Sequence, residues 1–587
     1  MDVFRKKTLD GILNEIKANE DGVKGAHGAG LQRNLGVRDL VALGIAAIIG
    51  AGIFSTIGNA SQAGGPAVAL LFVITAVACG FSALCYAEFA SSIPISGSAY
   101  TYAYASFGEV VAWLIGWALV LEYAVSNMAV AISWSSYFTA LLEVFHVHLP
   151  AWMTVDYFTA QRASNELTKL LSEGKTLADI APAMREATEA WQTAPAIGGL
   201  RIILDVPVFF IVGLITWIVY WGIQESKIAS NIMVAIKLTV VLLVISVGAF
   251  YIHPENWVPF MPTGFGGMMS GVGAVFFAYI GFDAVSTTAE ECKNPQRDLP
   301  RAMIASLLIC TILYVMIALV LTGMAHYSRL GVEDPLAFVF GLTDMSPRAK
   351  GIMTVIISVS AVVAMASALL AYQLGQPRIW MSMSRDGLLP KVFSNVHPRF
   401  RTPSFSTILT GFVVAVPTLF MNLTEVTDLT SIGTLFAFAV VCAGVLRLQG
   451  SEQQRRASFK VPYVNAQYFL PLGLVATFAI VLIFSPDSLL NLFRRVADEK
   501  GNMQTAWDVF KHHFPDYAFI AISVYLCVEA WKRRFSLIPC LGMLSCLYLM
   551  TEIKITGWVQ FLVWMAVGLL IYFAYGVRNS KLGAARQ

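Results

Sequence analysis

Residues 41–60 read VALGIAAIIGAGIFSTIGNA, and residues 271–291 read GVGAVFFAYIGFDAVSTTAEE. Each is an apolar helical run with glycine near its middle. In the first, Gly50, Ala51 and Gly52 interrupt the helix. Glycine weakens a helix and lets its backbone open. The stretch from Ile49 to Ile53 then presents free N–H groups at the start of a second half-helix. Those donors, with the positive end of the helix dipole, suit a carboxylate. A small-residue packing face accounts for G-A-G equally well. In the second run, Gly281 stands beside Asp283, and carbonyls freed near Phe277, Ala278 and Ile280 suit an ammonium group. Donors on one break facing acceptors on the other match a zwitterion.

The solvent for such helices is a bilayer. Of the 587 residues, 57% are hydrophobic and 13% charged, with a mean hydropathy of +0.66. That charged share is about half of what a soluble domain carries. Opened backbone survives in a membrane only where it is buried in protein or lines a cavity. The net charge of +3 and the lack of a basic run argue against nucleic acid. The eight cysteines lie mostly in apolar segments with no C-x-x-C pair. They read as small core residues, neither a disulfide framework nor a metal site. The first 38 residues are polar and lack an apolar h-region, so no cleaved secretory signal is expected.

A spanning helix needs about 20 mostly apolar residues. Such segments fall near 36–60, 66–92, 108–142, 202–223, 228–252, 268–290, 300–324, 351–384, 404–421, 427–448 and 467–485, then near 516–531, 535–551 and 556–577. The expected fold is therefore an all-α integral membrane protein with about fourteen transmembrane helices. Lys and Arg concentrate in alternate connections: 291–301, 385–403, 447–463, 532–534 and the tail. The positive-inside rule puts these and both termini in the cytoplasm. Residues 1–35 form an N-terminal segment, 36–450 a core of ten helices, 451–577 four further helices and 578–587 a tail. The polar stretch at about 151–200 reads as a solvated helical hairpin inserted on the outer side. Helices one and six both break, so helices one to five and six to ten pair as inverted halves with a site at the midplane.

Two more charges lie deep in apolar sequence: Glu122 in WLIGWALVLEYAVSNMAV and Lys237 in SNIMVAIKLTVVLL. Each is expensive to bury alone. An ion pair or a snorkelling head is one reading. The functional reading makes Lys237 a proton carrier, since a lysine in so apolar a setting can gain and lose its proton near neutral pH. Glu122 becomes a wall of the substrate pocket. Phe54 and Tyr279 are gating candidates, with ordinary packing as the alternative. Glu88 is expected to pair with a basic loop residue. Arg385 and Asp386 are expected to hold an inner gate. No H-E-x-x-H, no G-x-S-x-G and no Cys/His cluster occurs, so an enzyme is not expected. A channel filter repeat is also missing, and nothing calls for a cofactor.

Several motifs occur in order: GAGIF at 50–54, YAEFASSIPISGSAYTYAY at 86–104, GW…LEY at 116–123 and GIQESKIASNIMVAIK at 222–237. They continue with FFAYIGFDAVSTTAEECKNPQRDLPRAM at 276–303 and GQPRIWMSMSRDGLLP at 375–390. Together they resemble the amino acid–polyamine–organocation superfamily, and within it the cationic amino acid transporters and their bacterial homologues. The resemblance covers roughly residues 36–450. It implies a five-plus-five inverted-repeat (LeuT-type) core, alternating access, an amino acid substrate and coupling to protons at the plasma membrane. Lys237 matches the family's helix-five lysine, and Glu122 its helix-three acid. The GAG and FFAYIG stretches match its backbone clamps. An exchanger of amino acids or amines without net proton coupling is the alternative. The insertion at 151–200 departs from the family pattern.

Overall fold

The computed structural model describes residues 4–7, 34–93, 97–172, 182–198, 200–332, 334–451, 454, 457–484 and 506–584. Most of the N-terminal segment lies outside them, as do 173–181 of the insertion and 485–505 between the eleventh and twelfth apolar segments. The described chain is helical apart from one antiparallel pair, Ala196–Ile197 with Leu200–Arg201. In order, helix one is α1 (Val37–Ile48), a π turn (Gly52–Thr56) and α2 (Ile57–Gly64). Then come α3 (Val68–Ser92), the short α4 (Ser98–Ser106) and the long α5 (Glu109–Val144). The insertion contributes α6 (Tyr157–Ser172) and α7 (Pro182–Thr193). Helices four and five are α8 (Val206–Trp221) and α9 (Ile223–Gly248).

Helix six is α10 (Gly264–Met269), α11 (Val272–Phe277) and a tight 3-10 segment, Phe282–Glu291. It is followed by α12 (Pro295–Met324), α13 (Pro335–Gly341), α14 (Pro347–Arg385), α15 (Ser404–Ala415) and α16 (Leu423–Leu448). The last helices are α17 (Ala466–Phe484), α18 (Ala506–Arg533), α19 (Leu537–Thr551) and α20 (Ile555–Ile571). Among the described residues, nine helices are long and apolar enough to cross a membrane. Four more apolar helices are shorter, at 206–221, 404–419, 466–479 and 537–551.

Local chemistry sets several starts. Proline occupies the first turn of α8, α12, α13 and α14, where its missing N–H goes unneeded. The Asp205 carboxylate caps α8, accepting from the Val208 N–H at 3.1 Å, and it also accepts from the Ser135 hydroxyl at 2.6 Å. That second bond ties α8 to α5. The core sits around α5, which packs on α14 and α16. Its apolar stretch is 89% buried, against 22% for that of α18 and 28% for that of the helix at 555–579. α5 is therefore a post within the bundle, α18 and the helix at 555–579 lie towards its outside, and α19 packs inward on α16 and α3.

The two broken helices lie antiparallel. α1 packs against the 3-10 segment of helix six, and α2 packs against α10 and α11. The start of helix one is stitched to the end of helix six by backbone. Leu35 N–H donates to Glu291 O at 3.0 Å, and Lys293 N–H donates to Leu35 O at 3.0 Å. The insertion has its own small apolar cluster of Ala160, Ala190 and Ile203, against which Trp152 and Trp191 pack. All eight cysteines carry free thiols.

Candidate functional site

The breaks set the geometry. Helix one stops at Ile48, and Ile49 is extended, with φ −78° and ψ 92°. The chain resumes as a π turn at Gly52, a distortion common at functional sites. The first amides of this second half have no intrahelical acceptor, as at any helix start. Helix six stops at Phe277 and turns at Gly281, whose φ of +113° is open to glycine and few others. The breaks touch through their glycines. A β-carbon on Gly52 would fall onto the backbone of Ala278, 2.5 Å from that residue's own Cβ. A β-carbon on Gly281 would lie 2.9 Å from the carbonyl carbon of Ala47. Gly52 and Gly281 thus let two backbones meet, a packing demand added to the clamp role expected from sequence. Gly50 faces the Ala368 Cβ at a hypothetical 3.1 Å and has more room.

Lys237, on α9, is fully buried. Its Nζ donates to Ile49 O at 2.7 Å, Ala46 O at 3.2 Å and Ala364 O at 3.2 Å. Three N–H donors therefore meet three carbonyls. Two belong to the frayed end of α1, where the missing turn leaves them without amide partners, and the third lies on α14. The lysine ties helix one to helix eight through their backbones.

Glu122 and Asp283 are buried as well, at 1% and 0% exposure. Asp283 Oδ2 accepts from the Tyr123 hydroxyl at 3.3 Å, while its Oδ1 makes no well-formed hydrogen bond. Neither carboxylate oxygen of Glu122 makes a well-formed hydrogen bond. The two acids lie close enough to repel one another, with Thr434 adjoining Glu122. Two such groups in a dry interior are unfavourable unless a cation or protons join them.

The carbonyls expected to meet an ammonium already have donors. The Tyr314 hydroxyl, from α12, lies 2.8 Å from Ile48 O and 2.9 Å from Ala278 O. The Tyr372 hydroxyl, from α14, lies 3.3 Å from Ala47 O and 3.1 Å from Ile280 O. Phe277 O accepts from the Ile280 N–H at 3.3 Å. Of the gating candidates, Phe54 packs edge-on to Tyr137, whose hydroxyl donates to Phe54 O at 2.6 Å. Tyr279 donates to Phe72 O at 3.0 Å and lies against Tyr314. Both aromatic rings are held by their neighbours.

Beyond helix six lies a layer of ion pairs. The Arg378 guanidinium grips Glu291 Oε1 from two nitrogens, at 2.7 and 3.0 Å, and both side chains are buried. Arg385 pairs with Glu290 at 3.2 Å. Asp386 accepts from the Tyr100 hydroxyl at 2.6 Å and pairs with Lys7. Arg5 pairs with Glu109 at 3.0 Å, and Glu109 also takes the hydroxyls of Tyr104, Tyr572 and Ser580. Helices three, six and eight, the N-terminal segment and the tail are therefore joined at one end. Glu88 does meet the connection at 447–463, but through the Gln454 amide at 3.0 Å and the Val461 N–H at 2.7 Å. Amide donors make the direct bonds, and Lys460 of the same connection adds its charge nearby.

Sequence reasoning passed over Tyr314, Tyr372 and Arg378. Arg378 was open to discovery, being a charge inside an apolar helix. The phenols gave no local signal. No group of His, Cys, Asp and Glu among the described residues is placed to hold a metal ion.

Comparison with known proteins shows the family. A family model described as amino acid permease matches residues 35–498, and one for the C-terminus of the same permeases matches 536–580. The branched-chain amino acid permease BcaP of Bacillus subtilis is 36% identical over 581 residues, 99% of each chain. The methylthioribose transporter of the same organism is 35% identical, again over 99% of each chain. The vacuolar cationic amino acid transporter 4 of Arabidopsis thaliana is 31% identical over 94% of this chain and 93% of its own.

Proposed function

The chain belongs to the amino acid permease family, and from that premise we propose that it is a proton-coupled amino acid symporter of the plasma membrane. It is a transporter, not an enzyme, of a family whose model is described as amino acid permease. The core is read as a five-plus-five inverted repeat. The antiparallel packing of helices one and six supports that reading, since two halves of five helices must be inverted. The nine long helices and the four shorter ones make thirteen, and counting Gly52–Ser92 as the second half of helix one followed by helix two gives the fourteen crossings of this reading. The Lys and Arg pattern puts both termini in the cytoplasm.

In this reading the cargo's carboxylate meets the amides from Gly50 to Ile53, at the positive end of the second half-helix. Its ammonium meets the carbonyls of Ala278 and Ile280. Glu122 and Asp283 line the side away from these clamps and favour cargo that brings positive charge. Phe54 and Tyr279 close over it.

The observation that carries the proposal is the bond set of Lys237. Its charge joins the break of helix one to α14 through Ile49 O and Ala364 O, at 2.7 and 3.2 Å. Charged, it holds those backbones together. Neutral, it has fewer hydrogens than acceptors, and the grip loosens. Proton loading from outside and release to the inside then follow the rocking of the core. The test is uptake into proteoliposomes with an acidic exterior, using wild type and Lys237→Ala. Gradient-driven accumulation by wild type alone supports the proposal. Accumulation by the alanine variant moves the proton to Asp283 or Glu122. Uptake that ignores the gradient in wild type favours exchange without proton coupling.

The relatives leave the cargo open among branched-chain amino acids, cationic amino acids and a thiosugar, at nearly equal identity. Glu122 and Asp283 favour cationic amino acids within that set. A competition panel of the twenty amino acids and methylthioribose decides between them.

A further inference from the structure

Two phenols bridge the breaks, and the transport reading above gives them no part. Tyr314 stands between Ile48 O of helix one and Ala278 O of helix six. Tyr372 stands between Ala47 O and Ile280 O in the same manner. They arrive from different helices, α12 and α14, yet each joins one carbonyl of each break. All four acceptors are carbonyls that a broken helix leaves without amide partners.

Hydrogen counting makes this pair more than glue. A phenol has one hydrogen to donate. Each tyrosine thus faces two carbonyls and satisfies one at a time, so four acceptors share two hydrogens. An ammonium carries three donors and competes for Ala278 O and Ile280 O. As it takes them, each phenol can turn its hydrogen to the helix-one carbonyl, Ile48 O or Ala47 O. No bond need be lost in the exchange.

Resting on the proposed transport of amino acids, we infer that Tyr314 and Tyr372 are positioning residues whose hydroxyls stand in for the cargo's ammonium. Their hydrogens let the core close and reorient without cargo. Closing buries the carbonyls of both breaks, and a buried carbonyl without a donor is costly. Cargo supplies donors on the loaded stroke, and the phenols supply them on the return stroke. A carrier that returns unloaded performs net uptake. One that cannot is confined to exchange. The pair therefore favours symport over obligate exchange.

The test uses Tyr314→Phe and Tyr372→Phe, singly and together, in proteoliposomes with an acidic exterior. Phenylalanine keeps the ring that packs on Phe72 and Tyr279 around Tyr314. The probe is an equimolar mixture of the twenty labelled L-amino acids. Net uptake is measured into vesicles lacking internal amino acid, and exchange into vesicles preloaded with the unlabelled mixture. Net uptake should fall about fivefold or more, the scale of one lost modest hydrogen bond, while exchange stays within about twofold. The half-saturating concentration should drop, because a competitor for the carbonyls is gone. Parallel loss of both modes, or no change in either, overturns the inference. If the double variant elutes as aggregate, the single variants carry the same comparison. A wild type inert in both modes overturns the transport reading itself, and this inference with it.

Discussion

The Nζ of Lys237 lies 2.7 Å from the carbonyl oxygen of Ile49, the residue at which helix one opens. The amine on helix five thereby fills acceptors that the missing helical turn leaves bare. Lys237→Ala removes all three of its bonds and should lower stability by on the order of 2 kcal/mol. Uptake driven by a pH gradient should disappear, while part of the cargo binding survives. Lys237→Arg should fail as a proton-coupled carrier too, since a guanidinium does not release its proton at these pH values. Uptake rates in proteoliposomes and melting temperatures in detergent check both.

Gly52→Ala is expected to be worse than Gly50→Ala. The added methyl at 52 falls onto the Ala278 backbone, which cannot swing aside as a side chain can. Overpacking of this kind costs about 1–3 kcal/mol and spreads the two breaks apart. At 50 the methyl meets side-chain carbons, the Ala368 Cβ at 3.1 Å and the Val130 Cγ2 at 3.8 Å. Transport should be lost at 52 and retained in part at 50. Equal activity in the two variants would remove the backbone contact from the account.

Glu122→Gln and Asp283→Asn each remove an acid that can ionise beside a cationic cargo in a closed apolar setting. The ratio of lysine or arginine affinity to leucine affinity should fall by about tenfold in each, the effect of about 1.4 kcal/mol. A competition panel reads it directly. Unchanged ratios in both variants would make the acids packing residues.

Two arginines on one helix should behave in opposite ways. Arg378→Met leaves Glu291 buried and unpaired, at a cost of about 3–5 kcal/mol. Pairing it with Glu291→Gln should restore much of that loss. Arg385→Ala breaks a partly exposed pair with Glu290 and should cost about 1 kcal/mol or less. Thermal melts of the three variants beside wild type check the contrast.

Much of this was open to reading in the sequence, for a physical reason. A glycine pair in an apolar run and a lone charge in an apolar helix are anomalies against a uniform background. Gly50, Gly52, Gly281, Lys237, Glu122 and Asp283 stood out on that ground alone. Tyr314 and Tyr372 did not, because a tyrosine in a membrane helix is ordinary and its importance comes from where its hydroxyl ends up. The grip of Arg378 on Glu291 joins residues 87 positions apart, which no local pattern encodes. The helices at 206–221, 404–419 and 537–551 came out shorter than the apolar runs suggested, since flanking proline, glycine and polar residues trim the regular turns. The contact between Gly52 and Ala278 was hidden, because small residues suit both an open cavity and a close crossing.

Arg5 and Ser580 hold the same carboxylate, that of Glu109, from nearly opposite ends of the chain. Lys7 holds Asp386, whose backbone oxygen accepts from the Lys581 N–H at 3.1 Å. The head and the tail of the polypeptide are thus knotted at one point on the protein. For whoever purifies it, neither end is a neutral place for an affinity handle. A handle fused close to Phe4 or to Ser580 will tug on that knot, and activity measured on such material reports the handle as well as the carrier. A long spacer, cleaved before assay, removes the artefact.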